Sequence, residues 1–185
     1  ETALLQTVKE RGYLVCGVNA GLPGFASEDE EGNWSGLDVD FCRAVSAAVF
    51  GDADKVEYLG LNSAQRFPTL ASGSIDILSR NTTWTISRDV NLMFEFAGVS
   101  YYDGQGFLVP ASLGITSARG LDGAFVCIAS ETTSELNLND YFAENNMAYK
   151  PIYVEGNKDA KAKLFAGECD VFTTDASGLA SARAG

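Results

Sequence analysis

The sequence predicts an α/β protein. Short apolar runs stand where strands belong, helix-length segments separate them, and the same pattern restarts in the second half. Apolar runs rather than strict alternation mark strands covered on both faces, and helices crossing between them make such a sheet parallel. Each half therefore reads as one α/β unit, with the division placed at residues 1–105 and 106–185.

The elements follow in order. Residues 1–12, ETALLQTVKERG, form an amphipathic, helix-like lead-in. Tyr13–Val18 is the first strand, and Gly21–Phe25 breaks it into a loop. Trp34 and Gly36 lead to Asp38, the expected N-cap of a helix over Val39–Phe50 that Gly51 ends. Val56–Leu59 is the second strand. Ser63–Ser72 sets Phe67 and Leu70 on one helical face and stops at Gly73, although Pro68 argues against a helix there. Ile75–Leu78 is the third strand, apolar except for Asp76. Phe94–Phe96 and Gly106–Val109 are further strands, with Tyr101, Tyr102, Asp103 and Gly104 between them. Ser117–Leu121 enters a short helix, Ala124–Ala129 is a strand and Ser130–Thr133 a polar loop. Helices over Ser134–Asn145, Lys158–Phe165 and Ala176–Ala184 then alternate with strands over Pro151–Val154 and Asp170–Thr173.

At 185 residues the chain can bury a sizeable core. Its net charge of −12 disfavours nucleic acid and anionic membrane surfaces, since little on it would neutralise phosphate. No apolar run approaches the ~20 residues that span a bilayer, and the lead-in is not a signal peptide. The chain reads as a mature protein lacking its signal.

The cysteines are Cys16, Cys42, Cys127 and Cys169, with no CxxC and no histidine anywhere, which speaks against a metal site. Four cysteines allow three pairings. Cys16–Cys42 with Cys127–Cys169 is favoured, because each pair joins a strand to an element that packs on it. That pairing implies an oxidising compartment. Four buried free thiols are the alternative.

The richest tract is Ser79–Val90, SRNTTWTISRDV. It ends an apolar strand in amides and hydroxyls and then places Arg88. A guanidinium fork matches a carboxylate with fixed geometry and a charge that does not titrate. The plainer reading of Arg88, a solvated arginine beside Asp89, is outweighed by the NTT run at Asn81–Thr83. Asp175 follows the strand DVFTT, where it either meets an ammonium or caps the following helix. Ser130–Ser134 is an anion site at a helix start or ordinary capping. The acids Glu28–Glu31 read as a solvated turn, and Asp38 with Asp40 as helix-dipole partners rather than an acid-base pair. No nucleophile-base pair accompanies these residues. In open α/β sheets ligands sit outside the carboxyl ends of strands, so two polar loops in two units suggest a site shared by two lobes.

GLDVDFCRAV at Gly36–Val45, SRNTTWTISR at Ser79–Arg88 and TTD at Thr173–Asp175 resemble the polar amino-acid-binding proteins that feed ABC importers. Ser46 departs slightly from that family's pattern. The likeness covers essentially the whole chain and implies a two-lobed type II clamshell, with no cofactor, metal or catalysis, working in the periplasm with a membrane permease. By the resemblance, Arg88 clamps the ligand α-carboxylate, helped by Thr83 and Thr133. Asn81 and Asp175 take the α-ammonium, and Asn19 meets the ligand side chain. Arg80 stands where many relatives carry a small hydroxyl residue. It favours an acidic ligand or its amide: glutamate, glutamine, aspartate or asparagine. Relatives stack aromatics from the positions of Leu22 and Ser63; neither is aromatic here, and Trp84 is the substitute considered.

The family runs well past residue 185, and this chain stops in a helix at ARAG, so the resemblance implies a truncated C-terminal part. Uncovered sheet edge and apolar surface would then favour self-association. Two rivals remain: the ligand-binding domain of a membrane sensor, and a small-molecule lyase or dehydratase on the same fold, with Glu131 as its acid or base.

Overall fold

The computed structural model describes residues 3–184; Glu1, Thr2 and Gly185 lie outside the described residues, and with them the start of the expected lead-in and the end of ARAG. The chain forms two compact units. One holds residues up to Asn81 together with Glu155–Asp159, the other Thr82–Val154 together with residues from Ala160 on. The division falls earlier than the expected 105/106 boundary. Packing explains the shift, since Thr83 and Arg88 bond to Thr133 and Glu131 of the later sequence.

The first unit runs α1 (Ala3–Arg11), β1 (Leu14–Asn19), β2 (Ser27–Glu28), β3 (Trp34–Ser35), α2 (Leu37–Phe50), β4 (Val56–Leu61), α3 (Arg66–Ala71) and β5 (Ile77–Leu78). Its parallel sheet has the order β4-β1-β5, with Leu14 opposite Val56 and Cys16 opposite Ile77. Cys16, Val18, Ala26, Val39 and Cys42 form its core. Asp76, the one polar residue of the expected third strand, accepts from the Val15 N–H at 2.7 Å and pairs with Arg11. Pro68 sits in the first turn of α3, where its missing N–H has no intrahelical partner to lose.

Asp38 is not the N-cap of α2. Gly36 is, at φ 123°, and a Cβ there would lie 2.4 Å from the Phe25 carbonyl oxygen. Only glycine fits that approach, so the helix starts at Leu37 and Asp38 falls inside its first turn. Ser46 is buried and donates to the carbonyls of Asp52 (2.8 Å) and Lys55 (3.0 Å), tying the end of α2 to the loop that follows.

In the second unit come α4 (Ile86–Asn91), β6 (Gln105–Leu108), β7 (Phe125–Ile128), α5 (Thr133–Glu144), β8 (Lys150–Tyr153), α6 (Asn157–Ala166), β9 (Val171–Asp175) and α7 (Ala176–Ala184), with two short 3-10 turns before β7. The sheet order is β6-β9-β7-β8. β7 runs parallel to β8 and β9, while β6 is antiparallel to β9. Alternate strand residues feed two cores: Cys127 and Phe172 join one with Ala160, Leu164 and Leu179, and Val126, Ile128 and Val171 join the other with Leu138 and Phe142. Each large side chain so buried stabilises the fold by roughly 1.5–3 kcal/mol.

Phe94–Phe96 forms no strand. Phe96 stacks instead on Trp84, with ring centroids 5.2 Å apart and planes 9° from parallel. Cys16 is bonded to Cys42 and Cys127 to Cys169, the expected local pairing, with Cα separations of 6.2 and 5.7 Å. No described helix is long and apolar enough to cross a membrane.

Candidate functional site

The polar residues singled out by the sequence fall into two clusters, one in each compact unit. In the first unit, Asn19 ends β1 and the turn after β5 carries Arg80 and Asn81, so all three lie at carboxyl ends of parallel strands. Asn81 Oδ1 is the centre of the cluster. It accepts from Asn19 Nδ2 at 2.9 Å, Arg80 Nη2 at 3.1 Å and Arg80 Nε at 3.3 Å. Arg80 Nη1 donates to the Leu61 carbonyl at 3.2 Å. Arg66, which the sequence reading passed over, is also buried and donates to the Asn81 carbonyl at 3.4 Å.

Two buried guanidiniums thus converge on one asparagine. Asp38 supplies opposite charge. Burial pushes its carboxyl up to about 6, with the Arg80 charge pulling the other way. Its Oδ2 accepts no hydrogen bond from the protein, while its backbone oxygen accepts from Ser79 Oγ at 2.9 Å.

The second unit holds Thr83, Arg88, Thr133 and Asp175. Thr85 caps α4 by accepting from the Arg88 N–H at 3.2 Å, which fixes where the arginine leaves the helix. Arg88 is 8% exposed. Its Nη1 donates to the Thr83 carbonyl at 2.8 Å and its Nη2 to the Glu131 carbonyl at 3.5 Å. Burial lowers its pKa while the negative charge of Asp175 raises it, so the two charges interact. The Thr83 and Thr133 hydroxyls lie 3.0 Å apart.

Thr133 opens α5, and Thr132 caps that helix by accepting from the Glu135 N–H at 3.1 Å. Glu135 Oε2 in turn accepts from the Glu131 N–H at 3.1 Å. This resembles the reciprocal capping box, and it accounts for the SETTS run. Glu131 itself adopts φ 59°, a left-handed conformation uncommon for a residue with a side chain. The Ser177 N–H at the start of α7 is received by Asp103.

The Ser79–Val90 tract is therefore divided: Arg80 and Asn81 belong to one cluster, Thr83 and Arg88 to the other. Leu22 is 1% exposed and lies in the first unit's interior. Trp84 is about half exposed, stacks on Phe96 and donates from Nε1 to Asp89 at 3.0 Å. Among the described residues no group of histidines, cysteines or acids is arranged to hold a metal ion. Each cluster thus combines buried cations with amides or hydroxyls and an acid whose charge acts on a cation. Groups of these kinds can hold a small charged ligand.

The family model for bacterial extracellular solute-binding proteins, family 3, matches residues 14–177. The chain belongs to that family. It is 56% identical over 179 residues to the general L-amino acid-binding periplasmic protein AapJ of Rhizobium johnstonii, covering 97% of this chain and 52% of that one. It is 53% identical over 180 residues to the glutamate/glutamine/aspartate/asparagine-binding protein BztA of Rhodobacter capsulatus, covering 97% and 53%. A solved ABC transporter periplasmic binding protein from Brucella ovis with glutathione bound superposes with a TM-score of 0.93 at 50% identity, covering 100% of this chain and 58% of that one. The chain spans about half the length of the curated relatives it matches. Its α/β fold is that of the type II periplasmic binding proteins, in partial form.

Proposed function

We propose that the full-length protein is the periplasmic binding component of an amino-acid ABC importer, working with a membrane permease and taking a polar or acidic L-amino acid. One observation carries the reading: Arg88 is a buried guanidinium held by the Thr83 and Glu131 carbonyls, with Asp175 acting on its charge. Arg88, Thr83 and Thr133 take the α-carboxylate in this reading, and Asp175 and Asn81 the ammonium. Arg80 and Asn19 act towards the ligand side chain. Arg80 already donates to Asn81 and Leu61, so it serves partly by holding Asn81 in place. The names of the relatives point to the same ligand class, glutamate, glutamine, aspartate and asparagine included.

Titration calorimetry of the common amino acids on the full-length protein tests this. Saturable one-to-one binding of the acidic amino acids or their amides is expected, and no binding by any of them sinks the reading.

The glutathione bound to the Brucella ovis protein favours a second reading. A γ-glutamyl compound presents the same free α-carboxylate and α-ammonium as glutamate, with a longer tail. Competition between glutathione and L-glutamate for one site supports it; glutathione that leaves glutamate binding unchanged excludes it.

Exposed apolar residues in the second unit, Ile86, Met93 and Tyr102, each more than four-fifths exposed, support self-association of this chain. Light scattering that stays monomeric at high concentration would remove that proposal.

A further inference from the structure

We propose that Gln105 is a positioning residue for the amino-acid site, setting the strand that carries Asp175 against the helix that carries Thr133. The inference rests on the function proposed above, which assigns Asp175 and Thr133 to the ligand.

Gln105 opens β6 and stands directly opposite Asp175 in the antiparallel register of β6 and β9. Its backbone is thereby fixed to the end of β9. Its side chain turns to the helix. Nε2 donates to the Ser134 carbonyl at 3.0 Å and to Thr173 Oγ1 at 3.0 Å, and Oε1 accepts from Asn137 Nδ2 at 3.1 Å. Ser134 and Asn137 belong to α5; Thr173 belongs to β9.

The amide therefore bonds both elements through both kinds of polar atom. Thr173 is fully buried and donates onward to the Gly106 carbonyl at 2.8 Å. Ser134 follows Thr133, whose hydroxyl meets Thr83. Thr173 precedes Asp175 by two residues, so both point to one face of the strand. One amide thus sets the spacing between the hydroxyl assigned to the carboxylate and the acid assigned to the ammonium. A glutamate of the same length cannot donate to Ser134 or Thr173. It would set a carboxylate oxygen against the Ser134 carbonyl, so Gln105→Glu tests the donor itself with little change of volume.

The test is calorimetry on the full-length protein with two probes, L-glutamate and glutarate, which is glutamate without its α-ammonium. The ratio of their affinities reads recognition of the ammonium. In Gln105→Leu and Gln105→Glu the ratio is expected to fall about tenfold, whether or not the lost hydrogen bonds also lower the ligand-free Tm. A ratio equal to that of the wild type, including equal losses for both probes with a lower Tm, overturns the inference and leaves Gln105 purely structural. Asp175→Asn is the control. If that variant keeps the wild-type ratio, the assignment of Asp175 to the ammonium fails instead. If the wild type binds another of the acidic amino acids or their amides but not L-glutamate, that amino acid and its analogue without the α-ammonium replace the two probes. If it binds none of them, the proposed function fails. Should neither Gln105 variant fold, Asn137→Ala removes only the contact to Oε1. A smaller fall in the ratio then supports the proposal and an unchanged ratio overturns it.

Discussion

Asn19 donates its side-chain amide to Asn81 Oδ1 across 2.9 Å, joining the end of β1 to the turn after β5. The same oxygen receives two donors of Arg80. The pair is thus a joint between two strand ends and a buried charge. Asn81→Ala strips Arg80 of that acceptor and should cost about 2–3 kcal/mol; Asn19→Ala should cost about 1 kcal/mol. Urea unfolding of the two single variants and the double variant should show a coupling near 1 kcal/mol. Strict additivity would mean the contact contributes nothing.

Arg88→Ala should weaken amino-acid binding by about a hundredfold or more. Charge-assisted hydrogen bonds contribute about 1.5–3 kcal/mol each, and a guanidinium can supply two. Arg88→Lys should recover only part of the loss, since an ammonium lacks the planar fork. Calorimetry showing near-wild-type affinity for Arg88→Ala would remove the arginine from the site.

Asp38 predicts a pH signature. Its folded pKa of about 6 lies above the ordinary carboxylate value. Between about pH 4 and about 6 the folded protein holds a proton that the unfolded chain has released. The contribution of Asp38 to stability is therefore greatest at the acid end and declines as pH rises through that window, by on the order of 3 kcal/mol. Asp38→Asn lacks the proton exchange. Its Tm relative to wild type should climb from pH 4 to pH 6 and level off above; parallel curves would show that Asp38 ionises normally.

The disulfides close sequence separations of 26 and 42 residues. In the chain-entropy account each restricts the unfolded chain by about 3–4 kcal/mol. Reduction should lower the urea midpoint, and the Cys16→Ser/Cys42→Ser double variant should reproduce part of that fall. Identical midpoints with and without reductant would show that the bridges do not form in solution.

Much of this was legible in the sequence, for reasons that particular residues make plain. Val126–Ile128 and Val171–Phe172 are apolar on both faces because both faces are covered, so they read as buried strands. Ala176–Ala184 fell as expected, and the cysteine pairing followed from strands meeting the elements that pack on them. The start of α2 was misread because aspartate is a good cap by composition. What decided it was the approach of the Phe25 carbonyl to Gly36, across a loop that no local signal reveals. Phe94–Phe96 had strand composition but a stacking partner in Trp84.

In the clusters, Arg88 and Asn81 stood out because polar residues followed an apolar strand. Arg66 and Gln105 did not. Each looks like an ordinary helix or strand residue until the chain brings Asn81 to the one and Ser134, Asn137 and Thr173 to the other.

The bridges join cysteines in order of appearance, first with second and third with fourth. Each also stays within one compact unit. A chain oxidised from its amino end, as a polypeptide threading through a membrane pore would be, meets Cys16 and Cys42 together long before Cys127 emerges. Among the four cysteines of this chain the native pairing is then also the earliest one available, so oxidation in order of emergence favours it.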